Sequence, residues 1–402
     1  MSDSTLAFVH VGPLHRTESG IYSRATFLKF ISNFDRYFDT VRIYGPVRTV
    51  TEVPQGSYAI NAFDNVSVVP LPYWTRTLDY LRSPFSNTAS VTARLLKDAD
   101  KWDLLWLRDV HPATVVAYAV ATSRDISTVL QIAGDPAALG QHHHAGMNRV
   151  LHQGGVKIVE AVQRRLSHTV PTLALSEEIR EHLDEENSEL WFSNLVPKSA
   201  VVSDEEARAR LADFGEGPIR IAYVGRLSKA KGTHILGEAV DRLARSYDVQ
   251  LELIGSIPDE PDEWLTALLD EPYTTAHGYI PNNELPDLYC ESDIFVLPSF
   301  SEGVPKVLPE AFSAGLPVVT TRVGGIPDVL TEERECLMVS PGDVSSLADA
   351  ISRIITSPNL RESLVIAGTA WAQKHSREAQ MATALSIVAD HYDVSVAVSP
   401  DS

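Results

Sequence analysis

The chain is built from two successive sets of short, apolar, β-rich runs separated by longer amphipathic stretches, and this alternation limits the fold to parallel strands joined by crossover helices. In the first set, strands are predicted at 6–11, 41–44, 66–71, 104–107, 128–133 and 172–175. Helices are predicted at 20–34, 89–97, 112–122 and 150–166, and the run 184–188 with a last strand at 191–196 closes this half. A polar stretch from Ser203 to Gly217 reads as the junction. The pattern then restarts, with strands predicted at 219–224, 250–254, 274–277, 294–297, 317–320 and 337–339, and a tail from 347 to 391 that is almost wholly helical and split by Pro358. A length of 402 residues exceeds one ordinary core and suits two domains. The expected division is 1–205, 206–375, and a carboxyl-terminal helix with tail, 376–402, that packs back on the first domain.

Charge narrows the partners. Acidic residues number 53 against 34 basic ones, only nine of them lysine, for a net charge of -19. Such a surface repels phosphate backbones, so no nucleic-acid partner is expected; it also suits a protein that stays hydrated in concentrated salt. No run approaches the roughly 20 apolar residues that span a bilayer, and the amino terminus lacks the order of a secretion signal, so a cytoplasmic location is expected. Cys290 and Cys336 lie in apolar segments and read as core.

In open parallel sheets, ligands bind where loops leave the carboxyl ends of strands. Two such sheets in tandem can face one another across a cleft. The loop after 219–224 reads Gly225-Arg226-Leu227-Ser228-Lys229-Ala230-Lys231-Gly232. Glycine allows close backbone approach, Arg226 can fork onto phosphate oxygens, and Lys231 adds a point charge where the next helix begins, so the loop suits a diphosphate. The loop after 294–297 carries Glu302, Gly303, Val304 and Pro305, with Glu310 about two turns further on. A carboxylate can accept from two neighbouring hydroxyls, as a ribose or hexose diol presents them. Gly303 and Val304 would offer amides at a helix start, and Pro305 fits an early helical position.

With the run Gly315-Leu316-Pro317-Val318-Val319 to Gly324-Gly325-Ile326-Pro327-Asp328, these loops resemble the retaining glycosyltransferases of group 1, or family 4. The resemblance covers about 219–347 throughout and the amino-terminal half only in layout and in the Ser19-Gly20 loop. It implies the GT-B fold: α/β, with two Rossmann-like parallel-sheet domains facing across a cleft. It further implies a nucleotide-sugar donor, a UDP- or GDP-hexose, and transfer without metal or other cofactor to a glycan, lipid-linked or small acceptor. Arg226 and Lys231 would hold the diphosphate and stabilise its departure, Glu310 would take the ribose, and Glu302 with the backbone of Gly303, Val304 and Pro305 would hold the sugar. The backbone near Ile280 would line the base pocket, and Gly20 would bring amides to the phosphates from the other domain. Retention would follow from a front-face reaction in which the leaving phosphate takes the acceptor's proton.

One position departs from the family. Where many relatives place a histidine that contacts the sugar, this chain reads Ala133-Gly134-Asp135-Pro136; Asp135 and His111 are the two candidates to replace it. His111 also suits a plain helix cap before Pro112. The run His142-His143-His144 does not suit a metal, because adjacent side chains diverge. The stretch holding Tyr73, Trp74, Arg76, Tyr80, Leu81 and Arg82 fits either a peripheral membrane contact or a partly buried connection. Two other functions fit the same scaffold, a non-hydrolysing nucleotide-sugar epimerase and a catalytically silent binding protein. Donor alone would be epimerised by the first, and loss of the paired cations and acids would mark the second.

Overall fold

The structure, a computed structural model, describes residues 4–32, 34, 36–54, 57–60, 63–133 and 147–392. The chain divides into two compact units, one holding the described residues up to Leu195 and from Gln380 onward, the other Val196–Ala379.

The first unit opens with β1 (Thr5–Val9), the hairpin of β2 (Leu14–Thr17) and β3 (Gly20–Arg24), and α1 (Ala25–Ile31). Then come β4 (Thr40–Thr49), β5 (Ser57–Ala59), β6 (Val66–Leu71), α2 (Thr77–Leu81), α3 (Pro84–Asp98), β7 (Leu104–Arg108), α4 (Pro112–Thr122) and β8 (Ser127–Ile132). After α5 (Met147–Ser167), β9 (Thr172–Ala174), α6 (Glu177–Arg180) and β10 (Ser188–Leu190) complete it. The strands form one sheet in the order β10-β9-β8-β7-β1-β4-β2-β3-β5, with β6 also paired to β4. Pairing is parallel except around the β3 hairpin. Successive strand residues face opposite sides. Ala7, Val9, Leu105 and Leu107 pack with Val91 and Leu95 of α3 and Ala117 of α4. Leu6, Phe8, Trp106 and Val129 pack on the other side with Phe27, Phe30 and Ile31 of α1.

The second unit contains α7 (Asp204–Ala212), β11 (Ile219–Val224), α8 (Thr233–Ala244), β12 (Val249–Ile254), α9 (Glu263–Leu269) and β13 (Thr274–Gly278). It continues through α10 (Leu285–Cys290), β14 (Ile294–Leu297), α11 (Val307–Ser313), β15 (Val318–Thr321), α12 (Ile326–Val329), β16 (Leu337–Val339), α13 (Val344–Thr356) and α14 (Pro358–Lys374). The last helix, α15 (Arg377–Tyr392), places Met381, Ala384, Leu385 and Val388 in the Phe8 core of the first unit. The sheet is parallel throughout, in the order β13-β12-β11-β14-β15-β16. This is a doubly wound arrangement whose direction of winding reverses between β11 and β14.

Four expectations change. Residues 20–24 form a strand, not the start of a helix: Ser19 turns the chain by bonding its amide to Thr17 Oγ1 at 3.2 Å, and Ile21 and Tyr22 pair back onto Arg16 and His15. The closing strand of the first half is Ser188–Leu190, on the edge beside β9, rather than 191–196. The polar stretch 203–217 contains α7, held by a capping box in which Ser203 and Glu206 satisfy each other's amides. Cys336 is buried but Cys290 is exposed. In α10 the neighbouring Tyr289 and Leu285, one turn apart, take the inward face and turn Cys290 outward.

Candidate functional site

The reversal between β11 and β14 creates a crevice at the carboxyl ends of these strands, and the loops leaving them carry most of the expected donor residues. The exits are tied together by backbone. Gly225 N donates to Ile254 O and Gly255 N to Gly278 O, both at 2.9 Å, while Phe300 N donates to Ala230 O at 3.1 Å. Two glycines set how closely the loops meet. Gly232 has φ 68° and a Cβ there would lie 1.9 Å from the Pro298 carbonyl oxygen; Gly324 has φ 51° and a Cβ would lie 1.7 Å from that of Glu302.

Within this scaffold Lys231 Nζ lies 2.5 Å from Glu302 Oε1, with both side chains mostly buried. Ser299 Oγ donates to the same oxygen at 2.6 Å. The loop beneath is clamped from β15, where Thr321 Oγ1 donates to Ser299 O at 2.6 Å and Thr320 Oγ1 to Leu297 O at 3.1 Å. Arg226 is exposed, and among the described residues no ion pair holds its guanidinium. Its backbone is fixed: the buried Tyr223 hydroxyl donates to Arg226 O at 2.8 Å. Burial raises the pKa of that hydroxyl, so it stays protonated and a donor.

Glu310 stands in the first turn of α11, where a carboxylate is favoured by the helix dipole. Tyr289 OH donates to its Oε2 at 3.0 Å, and burial first, then the Glu310 charge, push the tyrosine well above its usual pKa. Because α11 starts at Val307 after the N-cap Lys306, Pro305 precedes the helix instead of occupying an early turn; Gly303 is exposed, Val304 half-buried and Pro305 buried. Ile280 is half-buried just past the end of β13.

The structure thus brings Lys231 and Glu302 into contact and sets Arg226, Glu310 and Ile280 on the same family of strand exits. Gly20 and His111 belong to the first unit. Gly20 begins β3 opposite Thr17, so it sits in a hairpin and not in a loop before a helix. His111 is the N-cap of α4: its Nδ1 accepts from Ala113 N at 3.1 Å while the ring stacks on Trp74 and meets Tyr80 edge-on. Burial lowers it to about 4. Asp135 and His142 to His144 lie outside the described residues. Ser299, Thr321, Tyr223 and Tyr289 were not found by reasoning along the chain. Ser299 lies two residues past the predicted strand 294–297, which was a usable signal, whereas the Tyr289 to Glu310 contact spans separate helices and leaves no local pattern.

Two doubly wound units with mainly parallel sheets define the GT-B fold, and solved structures agree with it. A glycosyltransferase of Rickettsia africae aligns with TM-score 0.71 at 15% identity over 98% of this chain and 100% of its own. The Anabaena protein HepE in complex with UDP-glucose aligns at 0.65 with 16% identity over 95% and 99%. Residues 218–357 match the family described as Glycosyl transferases group 1, so the similarity to that family lies in the second unit. Among curated relatives, the Bacillus subtilis protein TuaC, named as a glycosyltransferase of teichuronic acid biosynthesis, is 27% identical over 67% of this chain and 66% of its own. The sulfoquinovosyl transferase SQD2 of Arabidopsis thaliana is 30% identical over 48% and 37%. These matches therefore span less than two thirds of either relative.

Proposed function

We propose that the chain moves a hexose from a UDP- or GDP-sugar to a glycan, lipid-linked or small acceptor, with retention and without a metal. The observation that carries this is the Lys231 to Glu302 pair at the point where the second sheet reverses its winding. An ammonium has three donors, so Lys231 can keep Glu302 while also binding a phosphate oxygen. Arg226 then adds its fork from the loop's exposed side, and the two cations offset the charge that grows as the nucleoside diphosphate leaves. Glu302 orients the sugar hydroxyls and Glu310, steadied by Tyr289, takes the ribose diol. The departing phosphate accepts the acceptor's proton, so the scheme needs no protein nucleophile.

The reading puts the reaction in the cytoplasm, with a peripheral membrane contact near the acceptor. Among the described residues no helix is long and apolar enough to cross a membrane. Trp74 and Tyr80 are buried, but Leu78, Leu81 and Phe85 are exposed beside Arg76 and Arg82, which suits insertion at an anionic surface. For the donor site the test is Lys231→Ala. Loss of one cation aimed at the leaving group should lower kcat/KM by on the order of 10²–10³ and weaken UDP or GDP binding measured by calorimetry. Undiminished transfer would remove Lys231 from the mechanism, and epimerised donor without acceptor would favour the epimerase.

A further inference from the structure

The first unit has its own winding reversal, between β1 and β7, and the groups at that point are not used by the donor site. Parallel pairing aligns Val9 with Leu107 and Arg108 with Gln131, so His10, Arg108 and Gln131 form a polar row across three neighbouring strand ends. The row caps the apolar row Phe8, Trp106 and Val129 on the α1 side of the sheet. Two rings one helical turn apart support it from α1. His10 stacks on Phe27 with centroids 3.7 Å apart, and the Arg108 guanidinium lies 5.1 Å over Phe30. Gln131 is fixed by its Oε1, which accepts from Trp106 Nε1 at 3.1 Å.

Charge gives this row its chemistry. Arg108 is half-buried, and among the described residues it forms no ion pair, in a chain with 53 acidic side chains. A guanidinium is a planar fork suited to oxyanions, and placing it on an aromatic ring holds it without using its donors. His10 is kept neutral, lowered to about 3 by burial and then by the Arg108 charge, so it offers hydrogen bonding without a second cation. Gly12 lies close over the ring, since a Cβ there would be 2.8 Å from His10 Nε2. The neighbouring Asp109 takes a left-handed conformation, φ 58°, and its Oδ1 accepts from Ala133 N at 2.8 Å, tying the exits of β7 and β8 together.

We propose that His10, Arg108 and Gln131 form an anion subsite that binds a phosphate or carboxylate carried by the acceptor. This deepens the transferase reading and rests on it for the word acceptor; the anion site itself stands on the first unit alone.

The test titrates inorganic phosphate into the full chain carrying ¹³C-labelled histidine and follows the His10 resonance, identified by its loss in His10→Gln. Wild type should show a saturable shift. Arg108→Gln should weaken phosphate by about tenfold or more, and Lys231→Ala should leave the shift intact while weakening UDP binding. No shift in the wild type, or an undiminished one in Arg108→Gln, overturns the proposal, as does a shift lost in Lys231→Ala, which would assign the phosphate to the donor site. If Arg108→Gln does not fold, Arg108→Lys, which keeps the charge but not the fork, must still weaken phosphate by about threefold or the proposal fails. With a panel of sugar phosphates and neutral sugars as acceptors, Arg108→Gln should raise KM for the phosphates while the donor KM stays constant. Equal effects on neutral acceptors overturn it. A wild type that binds phosphate at His10 but no nucleoside diphosphate would sink the transferase reading and leave the anion site standing.

Discussion

At the scale of single residues, His111 shows how a buried group ties stability to pH. Its ordinary pKa of 6.5 in the unfolded chain falls to about 4 in the fold because burial between Trp74 and Tyr80 disfavours the charge. The folded state therefore binds fewer protons than the unfolded one between those values. Its stabilising effect is complete above pH 6.5 and is lost as pH falls toward 4, by roughly 3 kcal/mol across the window. His111→Asn keeps a side chain able to cap α4 but does not titrate. We expect its urea midpoint to fall less steeply than that of wild type between pH 6.5 and 4; parallel slopes would show that His111 is not the group responsible. Gly232 makes a second prediction. Alanine there needs a left-handed backbone and drives a methyl into the Pro298 carbonyl, so Gly232→Ala should cost at least about 2 kcal/mol in thermal unfolding and loosen donor binding, because the β11 and β14 exits must part.

At the scale of elements, α15 packs four apolar side chains, Met381, Ala384, Leu385 and Val388, into the first unit's core, and Trp191 Nε1 donates to Gln380 O at 2.8 Å. Burying a large apolar side chain contributes about 1.5–3 kcal/mol, so losing this set removes a large part of what holds a domain together. A chain ending at Ala379 should lose the first unit's calorimetric transition and keep that of the second; two unchanged transitions would contradict the packing. Most of the parallel strands of both sheets were legible because buried parallel strands write continuous apolar runs into the sequence, whereas β2, β3, β5 and β10 were not. The loops Gly225 to Gly232 and Ser299 to Glu310 were legible because glycine, paired cations and spaced acids are rare together at strand ends. Failures came where local signals conflict with pairing. Ile21 and Tyr22 continue an amphipathic pattern into α1, and only the turn at Ser19 and the partner strand commit them to β structure. The α7 helix is charged around most of its surface, so periodicity was silent, although Ser203 and Glu206 stood at capping-box spacing. The row of His10, Arg108 and Gln131 depends on the register of β7 against both β8 and the sequence-distant β1, which no local pattern supplies.

At the scale of the whole molecule, where the net charge is -19, added salt should act on stability and on donor binding in opposite senses. Repulsion among exposed carboxylates is weakest in the expanded chain, so it works against folding, and salt relieves it by shortening the screening length from about 10 Å at 0.1 M to about 3 Å at 1 M. The contact between Lys231 and Glu302 is mostly buried and is screened much less. In the proposed donor site, by contrast, a diphosphate would meet the exposed Arg226 from solvent, and that attraction would weaken as salt rises. Raising sodium chloride from 0.1 to 1 M should therefore raise the melting temperature while weakening calorimetric UDP affinity, and Arg226→Ala should make the affinity less dependent on salt. A melting temperature that stays flat or falls would mean that the acidic residues are already balanced within the fold and that the composition is no adaptation to salt. An affinity loss unchanged in Arg226→Ala would mean that the exposed guanidinium does not meet the phosphates.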